Sequence, residues 1–305
     1  MRNVKDLVQK INKLKKEKNA IVLGHCYQNI EIDEVADYVG DSLQLSRLAS
    51  QTEADIIVFA GVYFMAETAK ILSPNKKVLL PKIDSGCRMA DMIDLNQLKD
   101  FKAMYPNLPV VCYVNSSADV KSEADICCTS ANAVQIVQSL NVPKILFAPD
   151  KYLGTYVANQ LPNTEVVTYP GYCPTHLNIL VEDVEKMKKQ YPNAKVLAHP
   201  ECQQAVTNLA DYIGSTTGIM KYAKESQEKE FIIVTEKGVV DRLNRDCTDK
   251  KFYLVSNKAV CPNMKKNTLD DILYVLETEE NEIIINEEIA KRARQSIEKM
   301  IAINV

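Results

Sequence analysis

The chain has 305 residues and an ordinary globular composition, with 46% hydrophobic and 25% charged residues. Its net charge of −3 argues against a binding surface for nucleic acid or anionic membranes, because both need concentrated Lys and Arg. We find neither an apolar run long enough to span a membrane nor a secretion signal, and therefore expect a cytoplasmic protein whose nine cysteines are reduced.

Apolar, β-rich segments alternate with helical segments after a predicted amphipathic N-terminal helix. The predicted strands are AIVLG (20–24), DIIVFAG (55–61), KKVLL (76–80), LPVVCYV (108–114), KILFA (144–148), EVVTY (165–169), AKVLA (194–198), FIIV (231–234) and KFYLV (251–255). Near-continuous apolar strands joined by helices predict α/β architecture with parallel sheets covered on both faces. TEKGVVDRLNRD (235–246) is predicted to be an exposed strand-to-helix turn, and EEIAKRARQSIEKMI (287–301) a C-terminal helix.

Three kinds of polar residue recur with a period of about 87 residues, at separations of 86 or 88. The three series are His25, Tyr113 and His199; Ser42, Ser130 and Thr216; and Cys87, Cys173 and Cys261. The period predicts three related α/β units at 16–102, 103–189 and 190–276. With the terminal helices added, the units become 1–102, 103–189 and 190–305.

Each series lies just after predicted strands or at helix starts. Ligands of open parallel sheets bind beyond the carboxyl ends of the strands, where helix N-termini also point. Three units around a pseudo-threefold axis would therefore direct all three series at one central site.

Cys87, Cys173 and Cys261 are the candidate metal ligands. Three thiolates at one point suit a [4Fe-4S] cluster with one open iron, which acts as a Lewis acid toward a substrate oxygen. Two alternatives remain: a closed zinc site completed by His176, although zinc ligands usually come as local Cys pairs, and three buried structural cysteines. The other cysteines are interpreted as buried hydrophobic residues or surface thiols.

Histidine, tyrosine and glutamate side chains near the same predicted centre are candidates for acid–base chemistry. His25 and His199 share their position in the repeat with Tyr113 and stand beside Tyr27 and Glu201, which are proton donors and acceptors when burial tunes their pKa. For His176 a structural role is favoured. Ser42, Ser130 and Thr216 have two compatible interpretations, helix N-capping and the binding of substrate anions.

The motifs together resemble the quinolinate synthase family, the iron–sulfur enzymes of de novo NAD biosynthesis. The matching segments are GHCYQ (24–28), GDS (40–42), SGCRMAD (85–91), YVNSSADVK (113–121), CTSAN (128–132), GYCPTH (171–176), HPEC (199–202), GSTTGIM (214–220) and CPNMKKNTL (261–269). Cys26 departs from the Asn or Tyr expected in relatives, and the Cys-x-x-Cys that some relatives carry near the C-terminus does not occur here.

The resemblance implies three pseudo-symmetric α/β domains around a central cluster. The implied reaction condenses iminosuccinate with dihydroxyacetone phosphate to give quinolinate, phosphate and water. The implied roles are cluster binding for Cys87, Cys173 and Cys261; substrate binding for His25, Ser42, Tyr113, Asn115, Ser130, His199, Glu201 and Thr216; and proton transfer for Tyr27, His199 and Glu201. Functional pairing with an aspartate oxidase or dehydrogenase is also implied.

Two other functions suit a three-cysteine cluster. A hydro-lyase with an open cluster would act on one hydroxy acid and would need no phosphate site. A non-catalytic iron–sulfur sensor would need no substrate-binding residues at all. Quinolinate formation from the two expected substrates separates the three functions.

Overall fold

A computed structural model describes residues 4–303, which form three four-stranded parallel sheets alternating with helices. The first region contains α1 Val4–Glu17, β1 Ala20–His25, β2 Tyr38–Gly40, α2 Ser42–Gln51, β3 Ile56–Ala60, α3 Tyr63–Leu72, β4 Lys77–Leu79 and α4 Leu95–Met104, with short 3-10 helices at Ile30–Glu34 and Ala90–Met92. The second contains β5 Val110–Tyr113, α5 Ala118–Ser122, β6 Ile126–Cys128, α6 Ala133–Leu140, β7 Lys144–Ala148, α7 Lys151–Gln160, β8 Glu165–Thr168, α8 Pro174–Leu177 and α9 Val181–Gln190. The third contains β9 Lys195–Ala198, α10 Gln204–Thr207, β10 Tyr212–Ile213, α11 Thr216–Glu225, β11 Glu230–Val234, α12 Lys237–Asp246, β12 Lys251–Leu254, α13 Leu269–Thr278 and α14 Glu287–Ala302.

The three sheets share one topology. Their strand orders are β2-β1-β3-β4, β6-β5-β7-β8 and β10-β9-β11-β12, so in each sheet the second strand in sequence lies at an edge. The same hydrogen bond also recurs: an aspartate carboxylate accepts the N–H of a residue in the first strand at 2.7–2.8 Å. The pairs are Asp37 with Val22, Asp125 with Val110 and Asp211 with Val196. The α/β architecture with three related units is thus confirmed.

All nine predicted strands are present, and three more appear. The additional strands β2, β6 and β10 have only two or three residues each, too few to show a strand pattern in sequence. Both predicted terminal helices form, as α1 and α14. Residues 1–3 and 304–305 of the predicted terminal units lie outside the described residues.

The prediction of an exposed turn at 235–246 was wrong. Thr235 and Glu236 are fully buried, and α12 begins at Lys237. The Glu236 carboxylate accepts the N–H of Gly238 at 2.6 Å and forms an ion pair with Lys265 at 3.1 Å. These partners offset the cost of burying its charge.

The last two helices pack against the first two regions. Helix α13 contacts α1 and β3, while α14 contacts α5, β6 and α3. A continuous apolar core joins all three sheets beneath the polar centre. Within residues 4–303, no helix combines the length and apolarity needed to cross a bilayer.

Arg242 connects α12 to the loop after β1 and is fully buried. Its guanidinium donates to the carbonyls of Cys26 at 2.7 Å and Gln28 at 3.1 Å and pairs with Asp33. We expect Arg242→Met to lower the free energy of unfolding by about 3–5 kcal/mol, since Asp33 and two carbonyls lose a buried partner. Urea unfolding measures this loss.

The control for this prediction is Arg292→Met. Arg292 is half-exposed and pairs with Glu123, so its loss should cost about 0–1 kcal/mol. Equal losses of unfolding free energy in the two variants would show that the buried Arg242 stabilises the fold no more than the half-exposed Arg292.

Candidate active site

A cavity of about 390 Å³ lies at the carboxyl ends of the strands of all three sheets. Its walls bring together the twelve residues singled out in the sequence: His25, Tyr27, Ser42, Cys87, Tyr113, Asn115, Ser130, Cys173, His199, Glu201, Thr216 and Cys261. Distant parts of the chain therefore meet at one site, because each series follows equivalent strands.

The three series correspond to three positions in the sheet. His25, Tyr113 and His199 lie at or directly after the first strand of each unit, which is central in the sheet. The hydroxyl residues follow the short edge strands β2, β6 and β10, and the cysteines follow the fourth strands β4, β8 and β12. Tyr27 and Glu201 stand two residues beyond the histidines on the same turns.

The hydroxyl series does not cap the helices. Asp41 caps α2 and Ser215 caps α11, each accepting an N–H within the first turn, so Ser42 and Thr216 are the first helical residues. Ser130 precedes α6, and its Oγ lies 3.2 Å from His199 Nε2. The capping interpretation is therefore wrong for Ser42 and Thr216, whose side chains line the cavity.

His25 and His199 are held in the same tautomer. The Nδ1 of His25 accepts the N–H of Tyr27 at 3.1 Å, and the Nδ1 of His199 accepts the N–H of Glu201 at 3.3 Å. The proton therefore resides on Nε2, which donates to Ser130 Oγ in the case of His199. Burial lowers the pKa of both imidazoles to about 3, so both are neutral donors near pH 7.

Acidification should destabilise the protein through these two histidines. Their pKa is about 3 in the folded protein and about 6.5 for an unperturbed histidine, so between these pH values the unfolded chain binds more protons. The free energy of unfolding should fall as pH decreases from 6.5 toward 3, by about 1 kcal/mol per pH unit for each histidine.

Urea unfolding between pH 7 and pH 4 measures this dependence. His25→Asn should reduce the slope of the unfolding free energy against pH, since one of the two titrating imidazoles is removed. An unchanged slope would show that His25 does not contribute to the pH dependence.

Hydrogen bonds join residues of all three units across the cavity. Tyr27 OH lies 3.0 Å from both Thr216 Oγ1 and Thr235 Oγ1, and Thr235 Oγ1 lies 2.8 Å from His176 Nε2. His176 Nδ1 lies 2.7 Å from Glu201 Oε2. Tyr113 OH donates to the other oxygen of Glu201 at 2.6 Å.

The donor–acceptor order of these hydrogen bonds follows from Glu201, where they end. Burial raises the pKa of the Glu201 carboxyl, but His176, His199 and the hydrogen bonds from His176 and Tyr113 outweigh it and lower that pKa to about 2. An ionised carboxylate accepts from both neighbours, so His176 carries its proton on Nδ1 and accepts from Thr235 through Nε2. Thr235 then accepts from Tyr27, whose pKa is raised well above its usual range by burial and by Glu201.

The three cysteines face the same part of the cavity. Burial raises the pKa of Cys87 to about 12 and also raises the pKa values of Cys173 and Cys261. Their thiols interact electrostatically with one another, which places all three in one locus. Backbone N–H groups two or three residues after each cysteine lower these pKa values and so favour the thiolates. They belong to Met89 and Ala90 for Cys87, to His176 for Cys173, and to Asn263 and Met264 for Cys261.

A metal-binding group is also present. The ligand atoms of Cys173, His176 and Glu201 lie within 4.8 Å of one another, and within residues 4–303 this is the one such trio found. His176 Nδ1 lies 3.2 Å from Cys173 Sγ. Side chains of these three types are suited to a metal cofactor.

Two residues of the site were missed in the sequence. His176 was favoured as structural, but it joins Thr235 to Glu201, and Thr235 was assigned to an exposed turn. Neither belongs to a repeated series. The available signal was local: the Cys-Pro-Thr-His segment forms the single turn α8, which places His176 near Cys173.

Comparisons with known proteins identify the family of this chain. Residues 9–302 match the family model described as quinolinate synthetase A protein. A quinolinate synthase of Alkaliphilus metalliredigens is 52% identical over 301 residues, covering 99% of both chains. Quinolinate synthase 1 of Methanosarcina acetivorans is 48% identical over 98% of both, and a quinolinate synthase of Aquifex aeolicus 45% identical over 99% of this chain and 95% of its own. Since the family model and the relatives extend over nearly the whole chain, the protein belongs to the quinolinate synthetase A family.

Proposed function

We propose that the protein condenses iminosuccinate with dihydroxyacetone phosphate to form quinolinate, phosphate and water in NAD biosynthesis. One observation carries the proposal: the cavity of this family member combines three cysteines with a directed hydrogen-bond chain from Tyr27 to Glu201. No comparison favours the hydro-lyase or the sensor.

We propose that Cys87, Cys173 and Cys261 hold a [4Fe-4S] cluster. A single tetrahedral zinc would bring its sulfur ligands to about 3.8 Å from one another. The three cysteines do not form such a trio within residues 4–303, whereas each thiol meets backbone N–H groups that favour its thiolate. The spacing favours separate irons for the three sulfurs over one shared zinc, while the N–H groups favour thiolate ligands for either metal. When bound, the cluster supplies one open iron that acts as a Lewis acid toward a substrate oxygen.

The chain's own donors are suited to anionic substrates. Iminosuccinate carries two carboxylates and the triose a phosphate, which accept hydrogen bonds from the hydroxyls of Ser42, Ser130 and Thr216 and from the Nε2–H of His25 and His199. The first turns of α2 and α11 add free N–H groups beside two of these hydroxyls.

Two further residues complete the substrate-binding set. Asn115 Oδ1 is buried without a hydrogen-bond partner, so it is free to accept from a substrate N–H or O–H. Tyr113 and Glu201 form a donor–acceptor pair that contacts the same space.

Proton transfer is assigned to Tyr27, His199 and Glu201, with His176 as a relay. Ring closure requires a base that removes protons from the intermediates and an acid that protonates a leaving oxygen. Glu201 is ionised and accepts protons, while the buried hydroxyl of Tyr27 keeps its proton and donates it. Thr235 and His176 connect the two by hydrogen bonds directed from Tyr27 toward Glu201, so a proton that moves along them travels from Tyr27 to Glu201.

One part of the cavity wall is apolar. Val62, Phe64, Met65, Met89 and Met264 line it, and all five are buried. Such a wall limits water, which matters because iminosuccinate hydrolyses readily.

Anaerobic reconstitution followed by an assay with dihydroxyacetone phosphate and freshly generated iminosuccinate tests the function. We expect about four irons and four sulfides per chain and the formation of quinolinate. A loaded protein that forms no quinolinate would contradict the activity, and stable loading with zinc instead of iron and sulfide would contradict the cofactor.

Three further assignments accompany this function. Iminosuccinate is supplied by an aspartate oxidase or dehydrogenase, which pairs functionally with this enzyme. The enzyme acts in the cytoplasm. We also propose three units, 1–102, 103–189 and 190–305, each with one of the three sheets; their two boundaries fall within α4 and α9.

A further inference from the structure

The third strand of each sheet is followed by a fourth repeated position, which the proposed mechanism does not use. Val62, Asp150 and Glu236 stand two residues after β3, β7 and β11, and the separations of 88 and 86 residues equal those of the histidine series. Each is the N-cap residue of the next helix, α3, α7 or α12. In two units the position holds a fully buried carboxyl.

In the third unit this carboxyl contacts the cysteine segment of its own unit. Glu236 Oε1 accepts the backbone N–H of Cys261 at 3.2 Å, and Oε2 accepts that of Gly238 at 2.6 Å. Lys265 pairs with the same carboxylate at 3.1 Å and donates to the carbonyl of Tyr27 at 2.6 Å. One side chain thus fixes the Cys261 segment relative to α12.

The second unit has a carboxyl at the same position, beside its own cysteine segment. The backbone of Asp150 pairs with Gly171, and Lys151 N–H donates to the Gly171 carbonyl at 2.9 Å. Asp150 Oδ1 accepts the N–H of Leu153 at 2.7 Å, which caps α7, and the backbone N–H of Cys173 also interacts with this carboxyl. Among residues 4–303, the Asp150 Oδ2 has no hydrogen-bond partner.

The first unit holds its cysteine segment differently. Val62 offers no acceptor, and the segment is tied by backbone groups instead: Tyr63 N–H donates to the carbonyl of Ser85 at 2.8 Å, and Asn263 Nδ2 donates to that of Gly86 at 2.8 Å. The first unit has no carboxyl at this position, so Cys87 can serve as the reference against which the reactivity of the other cysteines is compared.

We infer that Asp150 and Glu236 are positioning residues for the Cys173 and Cys261 segments. Glu236 accepts the backbone N–H of Cys261, and Asp150 caps α7 where its backbone pairs with the Cys173 segment at Gly171. The identity of the bound group rests on the proposed function, while the orientation of the cysteine segment does not. Partners that orient metal ligands typically affect metal affinity or activity by about 10- to 100-fold.

Asp150 is the better position for a test, because a change at Glu236 would also leave Lys265 without its buried partner. Asp150→Ala removes both oxygens, whereas Asp150→Asn keeps one acceptor oxygen in a side chain of the same shape. Asp94→Ala is the matched control: Asp94 caps α4 by accepting from Gln97 at 2.8 Å and does not line the cavity.

The first measurement uses the iron-free protein, so it does not depend on cluster or activity. Alkylation by iodoacetamide, followed peptide by peptide by mass spectrometry, gives the rate at Cys173 relative to Cys87. We expect the ratio to rise about tenfold in Asp150→Ala and to remain near the wild-type ratio in Asp150→Asn and Asp94→Ala. An equal rise in Asp150→Ala and Asp150→Asn would show that an acceptor oxygen at this position does not hold the segment, and no rise in either would show that the segment needs no such contact; both results overturn the inference.

The second measurement uses the reconstituted protein. Release of iron to a chelator should be about 10- to 100-fold faster from Asp150→Ala than from wild type and within about threefold of wild type for Asp150→Asn. Release from Asp150→Ala no faster than from Asp94→Ala would overturn the inference. If the wild type takes up no iron and sulfide, the proposed cofactor fails, and the alkylation ratios still decide the role of Asp150.

Discussion

Replacing Cys173 with alanine is expected to abolish both the iron–sulfur absorbance at about 400 nm and the formation of quinolinate. Cys173 begins the turn that also carries His176, and its sulfur lies 3.2 Å from His176 Nδ1. With only two thiolates left, no cluster with an open iron is held. Visible spectroscopy and iron analysis of the anaerobically reconstituted variant measure the loss.

Cys247→Ala is the matched control for this loss. Cys247 is partly exposed like Cys173 but lies at the end of α12, outside the cavity lining. It should retain full iron content and activity. A normal spectrum in Cys173→Ala would contradict the ligand assignment, and a loss in both variants would point to general instability instead.

Glu201→Gln is expected to reduce kcat by about 10²- to 10⁴-fold while iron content stays at the wild-type level. The carboxylate accepts from Tyr113 OH on one oxygen and from His176 Nδ1 on the other. A glutamine amide has only one oxygen, so its NH₂ group would meet a donor and the hydrogen-bond chain to Tyr27 would break. Steady-state kinetics together with iron analysis separates this effect from cluster loss.

A carboxylate outside the cavity provides the comparison. Glu123 is partly buried and pairs with Arg292 and Lys102, so Glu123→Gln removes a paired carboxylate without touching the site. We expect its kcat to remain within about twofold of wild type. A Glu201→Gln enzyme with kcat in the same range would exclude Glu201 from proton transfer.

The sequence predicted those features of the site that follow from the threefold repeat. Because His25, Tyr113 and His199 occupy one phase, their meeting at the sheet ends follows from three copies of one topology. The short edge strands β2, β6 and β10 were not predicted, since two or three residues carry no periodic signal. The same limit explains the capping error at Ser42 and Thr216, where the boundary of the helix decides which residue is the cap.

Residues that differ between the units could not be found in the same way. His176 and Thr235 have no counterparts in phase, and their contact joins positions 59 residues apart. Glu236 was misassigned because an acidic residue beside Lys and Gly reads as solvent-exposed, whereas its partners Lys265 and the Cys261 N–H come from a distant segment. Long-range pairing of buried polar groups is a tertiary property that local pattern does not contain.

Helix α14 comes after all the strands in the sequence and packs on α5 and β6 of the middle region. Ser296, on this helix, donates to the carbonyl of Lys121 at 2.9 Å and lies 3.3 Å from Cys127 Sγ, so it covers the sheet that carries Tyr113 and Ser130. This helix follows all three sheets in the sequence, so it is synthesised after them. Until α14 is made and packs, part of the apolar surface of the middle sheet stays uncovered.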